Sequence, residues 1–78
     1  MKMFLLSDNP DALLGMRLAG VKGRYIEDIQ LFPDVLSESI RDNEIGILLI
    51  TQKLSDEFEN IINPLKMNDR PLIVSMPE

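Results

Sequence analysis

Seventy-eight residues, 45% of them hydrophobic and 27% charged, fit one soluble globular domain, residues 1–78, with no room for a second core. With no cysteine and no histidine, the chain has no disulfide framework and lacks the commonest general base and the commonest metal ligand. The net charge is −5 and the acidic residues are scattered, which speaks against a nucleic-acid surface, since phosphate neutralisation needs a basic face.

The opening "MKMFLL" has one lysine and a short apolar run that meets Ser7 and Asp8 at once. This is the pattern of a buried strand over residues 3–6 rather than a signal peptide. No apolar run reaches the ~18 residues of a membrane span, so a cytoplasmic location is expected. "SDNP" closes the strand and starts a helix: Asp8 or Asn9 can cap it and Pro10 suits its first turn. That helix is expected to run to Ala19 and stop at Gly20. "GRYIED" reads as a short second strand. Pro33 opens a second helix with Phe32, Leu36 and Ile40 spaced by four. "IGILLI", residues 45–50, is unbroken and isoleucine-rich, the strongest strand signal in the chain. A third helix is expected from Thr51, carrying the stripe Leu54, Phe58, Ile61, Ile62 and Leu65, with Pro64 breaking its last turn. "PLIVSM", residues 71–76, is a fourth strand ending at Pro77.

Strands alternating with helices predict an α/β fold of Rossmann-like or receiver-like type. Right-handed crossovers give a four-stranded parallel sheet of order 2-1-3-4 with helices on both faces. Runs 3–6 and 45–50 are then the central strands. Functional groups in such a fold collect at the carboxyl ends of the strands, here Ser7 and Asp8, Thr51 and Gln52, and Met76.

That edge lacks the residues of the familiar chemistries. "SDNPDA" after the first strand has no glycine-rich phosphate turn. Phosphoryl acceptance of the receiver kind needs a carboxylate after the third strand, where Thr51 stands. Asp8 and Thr51 are therefore read as helix caps. Asp56, Glu57 and Glu59 lie early on a helix, where the macrodipole favours acids, and read as a solvated face. No catalytic, cofactor-binding or metal-binding residue is assigned.

The first helix is unusual. "LLGMRLAG", residues 13–20, is apolar nearly all round, whereas a helix lying on a sheet needs one apolar stripe. The surplus calls for a second cover, either a neighbouring helix or another protein. Arg17, the one charge in the stretch, either pairs with an acid of its own chain or offers its guanidinium to a partner carboxylate. Leu13, Met16 and Arg17 are the candidate partner-binding residues on this helix. Arg24 and Tyr25, side by side on an expected edge strand, form either an interface anchor or edge protection.

These segments carry a resemblance. "SDNPDALLGMRLAGV" resembles the opening of the F subunit of the V-type/A-type rotary ATPases, with Gly15, Arg17, Leu18, Ala19 and Gly20 matching a G-F-R-L-A-G-like segment and Met16 in its aromatic position. "NEIGILLITQKLSDEF" resembles the family's stretch leading into an acidic helix, through Ile45, Gly46, Ile47, Ile50 and Thr51. "RPLIVSMP" resembles its last amino-terminal-domain strand, through Pro71, Ile73 and Pro77. The three pieces are collinear. The resemblance implies a non-catalytic, cofactor-free rotor component of the central stalk, docked on the coiled-coil D subunit, peripheral to the membrane, and turning as ATP is hydrolysed or made to move ions. It also implies a regulatory helical extension in the family beyond the position of "SMPE". The contrasting expectation is a stand-alone receiver-like or flavodoxin-like domain that binds a ligand or partner.

Overall fold

The structure, a computed structural model, describes residues 2–78. Its elements run β1 (Lys2–Ser7), α1 (Pro10–Leu18), β2 (Lys22–Tyr25), α2 (Phe32–Arg41), β3 (Ile45–Thr51), α3 (Gln52–Glu57), α4 (Glu59–Ile62) and β4 (Leu72–Met76), with short 3₁₀ turns at Ile29–Leu31 and Asn63–Met67. The sheet has four strands in the order β2-β1-β3-β4, and every pairing is parallel. The two longest apolar runs thus become β1 and β3, the central strands, as their composition requires.

Register assigns the faces. Leu5 lies opposite Gly23 and Leu49, and Leu49 opposite Val74. Leu6 lies opposite Arg24 and Ile50, and Ile50 opposite Ser75. Neighbours in register share a face and successive residues alternate, so these are rows on opposite sides of the sheet. The second face holds the main core: Leu6, Leu48, Ile50 and Ile73 pack with Phe32, Val35 and Leu36 of α2, Leu54 of α3 and Ile62 of α4. The first face is covered by α1, which contacts β1 and β2. Cover is therefore unequal. On the α1 face Met3, Leu72 and Val74 stay exposed, so the helices do not enclose both faces of β3 and β4.

Local chemistry explains the boundaries. Asn9 caps α1, its Oδ1 accepting from the backbone N–H groups of Asp11 and Ala12 at 3.0 and 3.4 Å. At the other end Gly20 takes φ +90°, and the Gly20 and Val21 N–H groups donate to the Arg17 and Met16 carbonyls, each at 2.9 Å. This is the Schellman arrangement that a glycine past the helix end makes possible. The second strand is shorter than "GRYIED" suggests. It stops at Tyr25, Ile26 drops into the core, and Asp28 caps the next turn through the Gln30 N–H at 3.0 Å.

The single third helix expected from residue 51 is not formed. The chain breaks at Phe58, whose φ −114° and ψ 25° end α3 before α4 begins. The break lets the Phe58 ring stack on Phe32 at 4.6 Å between centroids. Leu54 and Ile62 reach the core, with Phe58 and Leu65 packed against it, while Ile61 is left exposed. Four of the five stripe residues turn inward and Ile61 does not, because packing overrode the regular period.

Candidate functional site

The carboxyl edge brings Ser7, Asp8, Asn9, Thr51 and Lys53 together, and the contacts there are internal. The Asn9 N–H donates to Ser7 Oγ at 2.9 Å, and Lys53 Nζ pairs with Asp8 Oδ2 at 3.3 Å. Asp8 is thus an ion-pair partner and Asn9 the cap. Thr51 occupies the cap position of α3 but makes no capping bond, and its buried Oγ1 has no hydrogen-bond partner among the described residues. The expectation that Thr51 caps its helix is therefore corrected: its hydroxyl is enclosed at the strand end. No group of three or more acidic residues among the described residues could hold a metal ion.

The first helix is the more open feature. None of its residues is buried. Ala12, Leu13 and Met16 are half-buried on the sheet side, while Leu14 is 58% and Leu18 81% exposed. Leu13 meets the sheet because Gly23 has no side chain. A Cβ built there would lie 2.7 Å from Leu13 Cδ2. The structure thus divides the three residues expected on the partner face. Arg17 is exposed, whereas Leu13 and Met16 turn toward the sheet, and Leu14 and Leu18 join Arg17 on the outside. The apolar surplus of this helix was evident in the sequence, but not which face the sheet would claim; the signal was Gly23, which fixes where α1 lies closest.

Arg17 forms no salt bridge among the described residues, where the ion pairs are Lys2–Glu44, Arg24–Glu38 and Lys53–Asp8. The intramolecular strut envisaged for Arg17 is therefore not formed among them. Arg24 behaves otherwise: its Nη1 donates to Glu38 Oε2 on α2 at 3.0 Å, on the face away from α1. Tyr25 is half exposed at the end of the edge strand β2. Between α1 and β2 runs an open groove of about 550 Å³, lined by Pro10, Leu13, Leu14 and Arg17 on one side and by Gly23 and Tyr25 on the other. The structure brings Leu13, Arg17 and Tyr25 to one groove and sends Arg24 to the opposite face. No described helix is long and apolar enough to cross a membrane.

An all-parallel α/β domain has internal polar contacts along its carboxyl edge, and its first helix shows solvent two leucines and an arginine unpaired among the described residues. The fold thus defines the class, a small α/β domain with a four-stranded all-parallel sheet. The comparisons with known proteins give the same class a family. Residues 3–78 match the family model described as ATP synthase (F/14-kDa) subunit, and the chain belongs to that family. It is similar to the F subunit of the A-type ATP synthase of Thermococcus kodakarensis, with 36% identity over 83 aligned positions that take in 100% of this chain and 76% of the relative. The corresponding F subunits of Pyrococcus furiosus and Pyrococcus abyssi are 30% and 31% identical over the same shares of each chain.

Proposed function

We propose that this chain is a non-catalytic rotor component of a V-type/A-type ATPase. It docks on the coiled-coil D subunit of the central stalk and helps couple ATP hydrolysis or synthesis to ion transport. It works as one α/β unit at the cytoplasmic side, peripheral to the membrane through the complex, and needs no cofactor. Family membership supports a place in the complex. The docking reading is carried by one observation: Leu14, Arg17 and Leu18 share the outer face of α1, with two exposed leucines and no salt-bridge partner for the guanidinium among the described residues.

The energetics favour docking there. Covering a leucine side chain contributes ~1.5–3 kcal/mol of transfer free energy, and two neighbouring leucines supply an apolar centre for an interface. The arginine stem extends that centre while its fork can take a partner carboxylate in two parallel hydrogen bonds. Tyr25 at the groove's far wall, with Leu13 at its floor, would bound the contact; Met16 would support α1 from beneath, and Arg24 would brace β2 through Glu38.

The test is Arg17→Ala, measured for affinity toward the cognate coiled-coil protein and for melting temperature. Stranding a desolvated partner carboxylate costs ~2–5 kcal/mol, so affinity is expected to fall more than tenfold. The fold is expected to keep its melting point, because an exposed arginine adds little stability. Unchanged affinity removes Arg17 from the interface.

A further inference from the structure

The segment that leaves β4, Pro77 and Glu78, reaches back across the carboxyl edge. Glu78 Oε2 accepts from Asn9 Nδ2 at 3.2 Å, and Glu78 Oε1 accepts from the Lys53 backbone N–H at 3.2 Å. One carboxylate thus joins the end of β4 to the start of α1 and the first turn of α3. The place matters. β1 and β3 are adjacent, yet α1 lies on one face of the sheet and α3 contributes to the core on the other. Their carboxyl ends therefore form the topological switch point, the crevice in which open α/β sheets take ligands. The chain's own carboxylate reaches into that crevice.

The contact also selects an orientation. An asparagine amide has one accepting and one donating end, and a carboxylate can only accept. Holding the Nδ2 end against Glu78 leaves Oδ1 aimed at the Asp11 and Ala12 N–H groups, which it caps at 3.0 and 3.4 Å. We propose that Pro77–Glu78 is a strap: by seating the Glu78 carboxylate on Asn9 it locks the cap of α1, so the order of that helix's first turn depends on where the chain lies after β4. Moving the strap loosens the N-terminal end of α1 without any change in the sheet. This device is independent of which partner α1 meets.

The test is NMR-detected amide exchange on the 78-residue chain, with Glu78→Ala made in the wild-type sequence and in an Asn9→Asp background. Aspartate keeps an acceptor for the cap in either orientation but offers Glu78 no donor. In the wild-type sequence Glu78→Ala is expected to speed exchange at Asp11 and Ala12 roughly three- to tenfold, the effect of losing a typical hydrogen bond, and to shift the Lys53 amide resonance. In the Asn9→Asp background the same substitution is expected to leave Asp11 and Ala12 unchanged. Unaltered exchange in the wild-type sequence overturns the strap. Equal acceleration in both backgrounds also overturns it, because Glu78 would then act on stability or on charge near the helix rather than through Asn9.

Discussion

Replacing Gly23 with alanine would place a methyl carbon 2.6 Å from the Leu5 carbonyl oxygen, 2.7 Å from Leu13 Cδ2 and 3.1 Å from Leu5 Cβ. The Leu13 methyl can rotate away, but Leu5 is fully buried in a central strand and its carbonyl is backbone. The clash must be relieved by moving β2 or lifting α1. Overpacking of this kind costs ~1–3 kcal/mol, against which the entropy saved in the unfolded chain by removing a glycine returns only ~0.4–1 kcal/mol. A net loss of about 1–2 kcal/mol is expected. For a domain this small it lowers the melting temperature by roughly 4–8 °C per kcal/mol. Gly15 is the matched control. It lies inside α1 with nothing within 4 Å of an added Cβ, so Gly15→Ala is expected to stabilise by about 0.5–1 kcal/mol through helix propensity. Thermal and urea unfolding of both variants measures the pair. A Gly23→Ala protein as stable as wild type would show that β2 does not lie this close to both Leu5 of β1 and Leu13 of α1.

Two further substitutions probe the ends of elements. Gly20→Ala, at φ +90°, is expected to cost about 1–2 kcal/mol, because a side chain disfavours the left-handed region; an unchanged urea midpoint would contradict the Schellman end of α1. Thr51→Val removes a buried hydroxyl that has no partner among the described residues, and is expected to stabilise by about 1 kcal/mol as the desolvation penalty disappears. A loss of stability in the same unfolding assay would mean that the hydroxyl makes a productive hydrogen bond.

Much of the fold was legible because the strands are compositionally plain. Residues 3–6 and 45–50 are unbroken apolar runs, and right-handed crossovers then leave little freedom in strand order. The ends of α1 were legible from Pro10, whose fixed φ suits a first turn, and from Gly20, which enters the left-handed region without the strain a side chain would bring. The break at Phe58 was not, because nothing local forbids a helix there; the stack on Phe32 depends on a residue 26 positions away in the chain. The candidate site was half legible. Composition showed that α1 has more apolar surface than the sheet can use, but the choice of inner face came from Gly23 across the sheet. The strap left no sequence signal, since Asn9 and Glu78 meet only after β4 returns to the edge.

Leu18 offers the most direct measurement. It is 81% exposed on the outer face of α1, so its replacement disturbs little of the folded domain. Calorimetric titration of the cognate coiled-coil protein with wild-type chain and with Leu18→Asp compares docking with that apolar face intact and with a carboxylate set into it. Docking through α1 predicts saturable binding by the wild type, and at least tenfold weaker binding by the variant at an unchanged melting temperature. Equal affinity for the two proteins would contradict docking through this face, and no binding by the wild type would contradict docking on the coiled coil altogether.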